Sequence, residues 1–161
     1  MIGIILGSQS DWETMLNCSD KLEELGIDCE MVVASAHRDP DKVTNYIKDW
    51  EEAGYKIIIA AAGMSAALPG VVASQTTLPV IGVPMKSDLM GIDSLLSIVQ
   101  MPKGVPVGTV AIGQSGAENS ALLAAKILAL GDEEVSKRLK NRISENSNNV
   151  AKDSHIGTWL E

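Results

Sequence analysis

The sequence predicts a doubly wound α/β domain with a mainly parallel sheet, and three observations predict it. Short apolar runs alternate with amphipathic stretches along the chain, the pattern of repeated strand–helix units. The third of these runs, over 56–61, is apolar beyond its first residue with no polar alternation, as in a strand covered on both faces. With 161 residues, 45% hydrophobic and 21% charged, the chain suits one domain with a sizeable core and not a disordered polymer. That domain spans 1–161, with a core over 1–130 and a C-terminal helix and tail over 131–161.

The elements follow in order. Ile2–Leu6 is the first strand, ending at Gly7-Ser8-Gln9-Ser10-Asp11. Met15, Cys18, Leu22 and Leu25 recur at spacings of three and four, a helix stripe that Gly26 ends. A second strand covers 29–34, followed by the loop Ser35-Ala36-His37-Arg38-Asp39-Pro40. Asp39 or Pro40 begins the next helix, whose stripe is Val43, Tyr46, Ile47 and Trp50 and whose end is Gly54. After the third strand, 62–70 is a loop of small residues, and a short helix covers 71–76. A fourth strand over 79–83, a helix over 92–99 and a fifth strand over 107–112 complete the sheet. The helix over 119–130 is apolar on all sides, which predicts burial on more than one side and hints at contacts between subunits. Val135, Leu139 and Ile143 then mark a narrow amphipathic stripe with Asp132 as N-cap. The polar stretch 144–149 is expected to fray, and Trp159 and Leu160 give the tail 154–161 a means of docking.

Composition removes several function classes. A net charge of −8 argues against a broad nucleic-acid or anionic-membrane surface, although a local nest of donors can still hold one phosphate. Phe is absent and aromatics are 3%, so Ile, Val, Leu, Ala and Met must build the core. The two cysteines, Cys18 and Cys29, have neither metal spacing nor a CxxC pattern and read as ordinary buried thiols. No basic segment precedes the first strand, and the apolar runs are too short to span a bilayer. The expectation is a soluble cytoplasmic protein.

In doubly wound sheets ligands bind outside the carboxyl ends of the strands, so the residues just after each strand carry the functional information. After the first stand Ser8, Ser10 and Asp11. Ser10 can donate to a phosphate and Asp11 can accept from a ribose diol; equally, either can serve only as a helix N-cap. After the second come Ser35, His37 and Arg38. Arg38 offers a planar fork suited to phosphate, Ser35 adds a donor, and His37 is a residue type suited to acid–base work near neutral pH. After the third, the stretch from Gly63 to Gly70 offers backbone N–H groups with little side-chain bulk. It is either a nest for a carboxylate or carbon dioxide, or a tight packing corner. There is no GxxxxGK[ST], no GxGxxG after the first strand, and no HExxH or Cys/His cluster, so a P-loop, a dinucleotide fingerprint and a metal motif are missing. The third strand ends in Ala60-Ala61-Ala62, without the Asp of a phospho-accepting receiver domain. His155 is expected in solvent. The residues alone thus reach a small phosphate-bearing molecule with His37 as acid or base, and stop short of the reaction.

Several of these segments carry a resemblance. GSQSDW at 7–12, SAHRDP at 35–40, LPG at 68–70, PVIGVP at 79–84, GIDSLLSIVQMPKGVPVGTVAIG at 91–113 and ALLAAKIL at 121–128 resemble the N5-carboxyaminoimidazole ribonucleotide mutase family, in order and with matching spacing from Met1 to about Leu130. The resemblance implies a flavodoxin-like three-layer sandwich, a homo-octamer, and a reaction of purine biosynthesis that needs no metal, ATP or organic cofactor. It implies that Ser10, Ser35 and Arg38 hold a 5′-phosphate and Asp11 the ribose hydroxyls. Ser8 would lie near the carboxylate and imidazole, His37 would move the proton, and Gly63, Ser65 and Leu68 would belong to the same site. The partners it implies are a ribonucleotide and carbon dioxide. Two positions depart from the family pattern: where the loop usually reads AAHLPG, this chain has SAALPG, with Ala67 in the histidine position, and Asp39 stands where Thr is common, a minor change. A related branch that carboxylates aminoimidazole ribonucleotide directly has an RSNALSG-like loop. The 91–113 block and Trp12 favour the mutase branch. A non-catalytic nucleotide-binding module is the alternative from another class.

Overall fold

The computed structural model describes residues 1–153, with side chains described through 144. Its five strands are β1 (Ile2–Leu6), β2 (Cys29–Val33), β3 (Ile57–Ala62), β4 (Val80–Pro84) and β5 (Gly108–Thr109). They form one sheet in the order β2-β1-β3-β4-β5, with every pairing parallel. The helices are α1 (Trp12–Glu24), α2 (Pro40–Glu52), α3 (Leu68–Ala73), α4 (Ile92–Val99), α5 (Gln114–Leu128) and α6 (Glu133–Asp153). This is the flavodoxin-like doubly wound order, in which the chain reverses direction across the sheet between β1 and β3.

The two-residue period of the strands sorts side chains into two cores. Ile2, Ile4, Leu6, Ile57, Ile59 and Ala61 face one way and pack with Met15, Cys18 and Leu22 of α1, the alanines of α5, and Val135 and Leu139 of α6. Ile5, Ile58 and Ala60 face the other way, with Val43, Ile47 and Trp50 of α2, Leu68 and Val72 of α3, and Ile98 of α4. Both β1 and β3 are buried throughout, as the unbroken apolarity of 56–61 requires. Two glycines make room on the α2–α4 face. A Cβ on Gly3 would lie 2.5 Å from the Trp50 ring, and one on Gly82 would lie 2.4 Å from Ile98 Cγ2. Trp50 is held further by Glu30, whose Oε2 accepts from Trp50 Nε1 at 2.6 Å and from the Tyr55 hydroxyl at 2.8 Å. Those bonds tie edge strand β2 to α2.

Local chemistry explains the helix starts. Asp39 accepts from Lys42 N at 3.2 Å and Pro40 fills the first turn of α2. Asp132 accepts from Glu134 N and Val135 N, each at 3.0 Å, at the start of α6. Gly26 and Gly54 close α1 and α2 with positive φ.

Four elements differ from the sequence reading by three residues or more at a boundary. α3 begins at Leu68, not at 71, because Pro69 is accommodated in its first turn. α5 begins at Gln114, five residues before 119, because Gly113 turns the chain at φ 71 and the small polar residues after it mask the apolar period. β5 is confined to Gly108–Thr109 instead of 107–112; it lies at the sheet edge, where few ladder bonds hold it. α6 continues as helix through the polar stretch 144–149 to Asp153 instead of fraying. His155 and the tail with Trp159 and Leu160 lie outside the described residues. No helix among the described residues is long and apolar enough to cross a membrane.

Candidate active site

The carboxyl ends of β1, β2, β3 and β4 open on one cleft of about 770 Å³, within the range of small-molecule sites. Every residue singled out after a strand lines it: Ser8, Ser10 and Asp11 from β1; Ser35, His37 and Arg38 from β2; Gly63, Ser65 and Leu68 from β3. They come together because β1 lies between β2 and β3 at the reversal point of the sheet.

On the β1 side, Ser8 precedes a short 3-10 turn over Gln9–Asp11 that leads into α1. Ser8 Oγ accepts from Ser10 N at 3.3 Å and from Ser10 Oγ at 2.9 Å. Ser8 is therefore the residue that caps the turn. Asp11, at the N-cap position of α1, makes no side-chain capping bond, so the reading of Asp11 as a cap and nothing more loses its support. Burial pushes the Asp11 carboxyl above the ordinary carboxylate value, opposed by hydrogen bonds from Ser10 and Ser8. Its nearest hydroxyl donor, Ser10 Oγ, is 3.4 Å from Oδ1, leaving accepting capacity toward the cleft.

On the β2 side, Arg38 N and Asp39 N donate back to Ser35 O at 3.3 and 2.9 Å, a tight turn that presents Ser35, His37 and Arg38 together. Arg38 Nη2 donates to Gly7 O at 3.3 Å. The guanidinium thereby leans over the end of β1, where a phosphate near Ser10 would meet it. His37 is exposed at the cleft.

The β3–α3 loop forms the floor. Ala66 N and Ala67 N donate within the loop, to Met64 O at 2.9 Å and Ser65 O at 2.6 Å. Met64 adopts φ 57, a left-handed conformation uncommon for a side chain of that size. That backbone reversal falls within the stretch Gly63–Ser65 that lines the cleft, and successive N–H groups in such a turn can form an anion nest. Leu68 is 2% exposed and presents one apolar edge to the cleft. Ala67 contributes a methyl group where the family pattern has an imidazole.

The β4–α4 segment also reaches the cleft, through Lys86, Ser87, Asp88, Leu89 and Asp93, and the sequence reading did not single these out. They follow the fourth strand without a motif of their own, and it is the pairing of β4 with β3 that brings them to the cleft. Ser87 Oγ donates to both Asp93 oxygens, at 2.6 and 2.8 Å, which holds that carboxyl below its ordinary value. Buried Ser94 donates to Met85 O at 2.6 Å and Gly91 O at 2.9 Å. These bonds fix the segment at both ends. Cys18 and Cys29 lie away from this cleft; burial pushes the Cys18 thiol up to about 12 and also raises Cys29, and both are unpaired thiols.

Comparisons with known proteins place the chain in a family. The family model described as AIR carboxylase matches residues 1–149. The chain is 57% identical over 139 residues to an N5-carboxyaminoimidazole ribonucleotide mutase of Brucella melitensis, covering 86% of each chain. It is 52% identical over 155 residues to the enzyme of the same name from Bacillus subtilis, covering 96% of each. The crystal structure of Treponema denticola PurE superposes with a TM-score of 0.89 at 30% identity, over 98% of both chains. A model match across nearly the whole described chain, joined to relatives of this identity and coverage, has one meaning: the chain belongs to the AIR carboxylase family.

Proposed function

We propose that this protein is a cytoplasmic enzyme of purine biosynthesis that interconverts N5-carboxyaminoimidazole ribonucleotide and 4-carboxy-5-aminoimidazole ribonucleotide. The observation that carries the reading is the convergence of Ser10, Asp11, Ser35, His37 and Arg38 with the β3–α3 loop on one cleft. Ser10, Ser35 and Arg38 bind the 5′-phosphate, and Asp11 accepts from the ribose hydroxyls. Ser8 lies near the carboxylate and imidazole.

The carbamate C–N bond breaks, its electron pair stays on nitrogen, and nitrogen takes a proton from His37. Carbon dioxide remains in the cleft. The enamine-like C4 attacks it, and the new C–C bond is followed by loss of the C4 proton to His37. One group that gives and then takes a proton leaves the balance even. The backbone N–H groups around Gly63 and Ser65 hold carbon dioxide and the developing carboxylate, and trapping carbon dioxide beside C4 makes its recapture effectively unimolecular. The working form is a homo-octamer, supported by exposed apolar residues on α4 and half-buried leucines on α5.

Ala67 favours a second reading, direct carboxylation of aminoimidazole ribonucleotide with free carbon dioxide, because the loop lacks the imidazole of the mutase pattern. Steady-state product formation separates them. Efficient turnover of N5-carboxyaminoimidazole ribonucleotide alone is expected; preference for aminoimidazole ribonucleotide plus bicarbonate at matched concentration makes this a direct carboxylase. Ligand binding with turnover of neither leaves a nucleotide-binding module.

A further inference from the structure

Resting on that reading, we propose that Lys86 recognises the substrate's carboxylate, at the end of the cleft opposite the phosphate. Beyond the last paired residues of β3 and β4, Met85 N still donates to Ala62 O at 2.9 Å. The chains then part, Gly63 into the floor loop and Lys86 into the β4–α4 segment. A Cβ on Gly63 would lie 3.4 Å from Met85 Cβ, so the two segments leave the sheet in contact, and Lys86 lines the cleft with Gly63, Ser65 and Ala67.

The lysine stem is supported. A methyl group on Gly113 would lie 3.6 Å from Lys86 Cε, 3.7 Å from Cγ and 3.9 Å from Cδ. Gly113 N itself donates to Pro84 O at 2.8 Å, so the stem crosses backbone that is tied to the end of β4. The ammonium forms no ion pair or hydrogen bond among the described residues. Of the carboxylates lining the cleft, Asp93 is engaged by Ser87 through both oxygens and Asp11 stands on the β1 side with Ser10. Asp88, two residues along, makes no ion pair with Lys86. The positive charge is left for a ligand.

The sheet order sets the spacing. Arg38 follows β2 and Lys86 follows β4, with β1 and β3 between them. Three strand spacings of about 4.8 Å separate the ends of β2 and β4 by ~14 Å, and Arg38, reaching back over Gly7 at the end of β1, brings the two charges to roughly two spacings, ~10 Å, apart. The substrate has two anionic ends, a phosphate and a base-borne carboxylate, with the ribose between. One end meets the bidentate fork of Arg38 and the other the point charge of Lys86. The floor loop beside Lys86 supplies Met64, Ser65, Ala66 and Ala67, none of them charged, so Lys86 provides the charge that holds the carboxylate where Ala67 cannot.

The test uses two nucleotides that differ only in the carboxylate. The KM for 4-carboxy-5-aminoimidazole ribonucleotide is measured together with the inhibition constant of aminoimidazole ribonucleotide, in wild type and in Lys86→Met, which keeps the stem and removes the charge. The KM should rise about tenfold or more, the scale of one charge-assisted contact, with the inhibition constant nearly unchanged and most of the loss restored in Lys86→Arg. Equal changes in both constants, or none, would overturn the proposal while leaving the reaction in place. Wild-type protein that turns over neither carboxylated nucleotide overturns the reaction itself and this inference with it. Should Lys86→Met fail to fold, Lys86→Gln is read the same way.

Discussion

His37 and Arg38 follow β2 side by side, yet their removal should register in different kinetic constants. His37 is exposed, so His37→Asn should fold and bind nucleotide while losing most turnover; a near-normal kcat would remove it from the proton path. Arg38→Ala loses a charged phosphate contact. Because Arg38 is exposed in the free protein, the loss should fall near the lower end of the usual range, about 2 kcal/mol, read as a raised KM for every phosphate-bearing substrate. An unchanged KM would remove Arg38 from the phosphate site. Asp11 makes a prediction about pH. Its carboxyl is pushed up from an ordinary 3.8 by burial, so the folded protein holds that proton more tightly than the unfolded chain. The stability this group contributes is fully present below pH 3.8 and is lost as pH rises through the raised folded value. Asp11→Asn should therefore melt at a higher temperature than wild type at pH 7, with the gap closing in acid, while substrate affinity falls. A gap that persists in acid would show that the gain is not electrostatic. These residues were legible in the sequence because each follows an unmistakable strand. Lys86 and Asp93 were not, since their importance depends on where the fourth strand ends beside the third.

At the scale of elements, burial at β1 and β3 is dense enough that glycine becomes a packing residue. Gly3 lies beneath the Trp50 ring, with a Cβ–ring distance of 2.5 Å for any larger residue. The ring cannot yield easily: it is 2% exposed, its Nε1 is bonded to Glu30, and Tyr46 and Tyr55 flank it at centroid distances of 5.7 and 5.6 Å. Gly3→Ala should destabilise the fold by about 1–3 kcal/mol, the cost of overpacking a well-packed core, seen as a lower denaturant midpoint with the same slope. A neutral result would mean that α2 shifts freely on the sheet. Strands and amphipathic helices were readable because each has its own period, 2 or 3.6. Where that period is diluted, the reading misplaced the boundary. The residues before Asn119 are small and polar, yet Gly116 packs so closely on Ala111 O that a Cβ would lie 1.7 Å away. That is a tertiary contact between a helix and its own preceding loop, and no local pattern announces it. β5 fails in the other direction, since 107–112 has strand composition but only two residues find ladder partners at the edge.

For the whole molecule, the unresolved energetics lie on the outer surface of the helices on one side. Ile92, Leu96 and Val99 are 50%, 52% and 50% exposed, and Leu89 and Met90 just before α4 are 65% and 77% exposed. Spacings of four and three put the first three on one face of the helix. A run of apolar residues on one face is the mark of a surface that is covered in the working protein. Each such side chain, already about half buried on α4, gains roughly 1 kcal/mol when the rest is covered, and several per subunit work together against the cost of association. The prediction is that light scattering gives wild-type protein the mass of an octamer. Leu96→Asp should yield smaller species with unchanged far-ultraviolet circular dichroism, because in the isolated chain the side chain is half exposed and the fold does not depend on it. A monomeric wild type would assign this face another role. A Leu96→Asp octamer would move the interface to other surfaces, α5 first, where Leu122, Leu123 and Ile127 are only partly buried against the core.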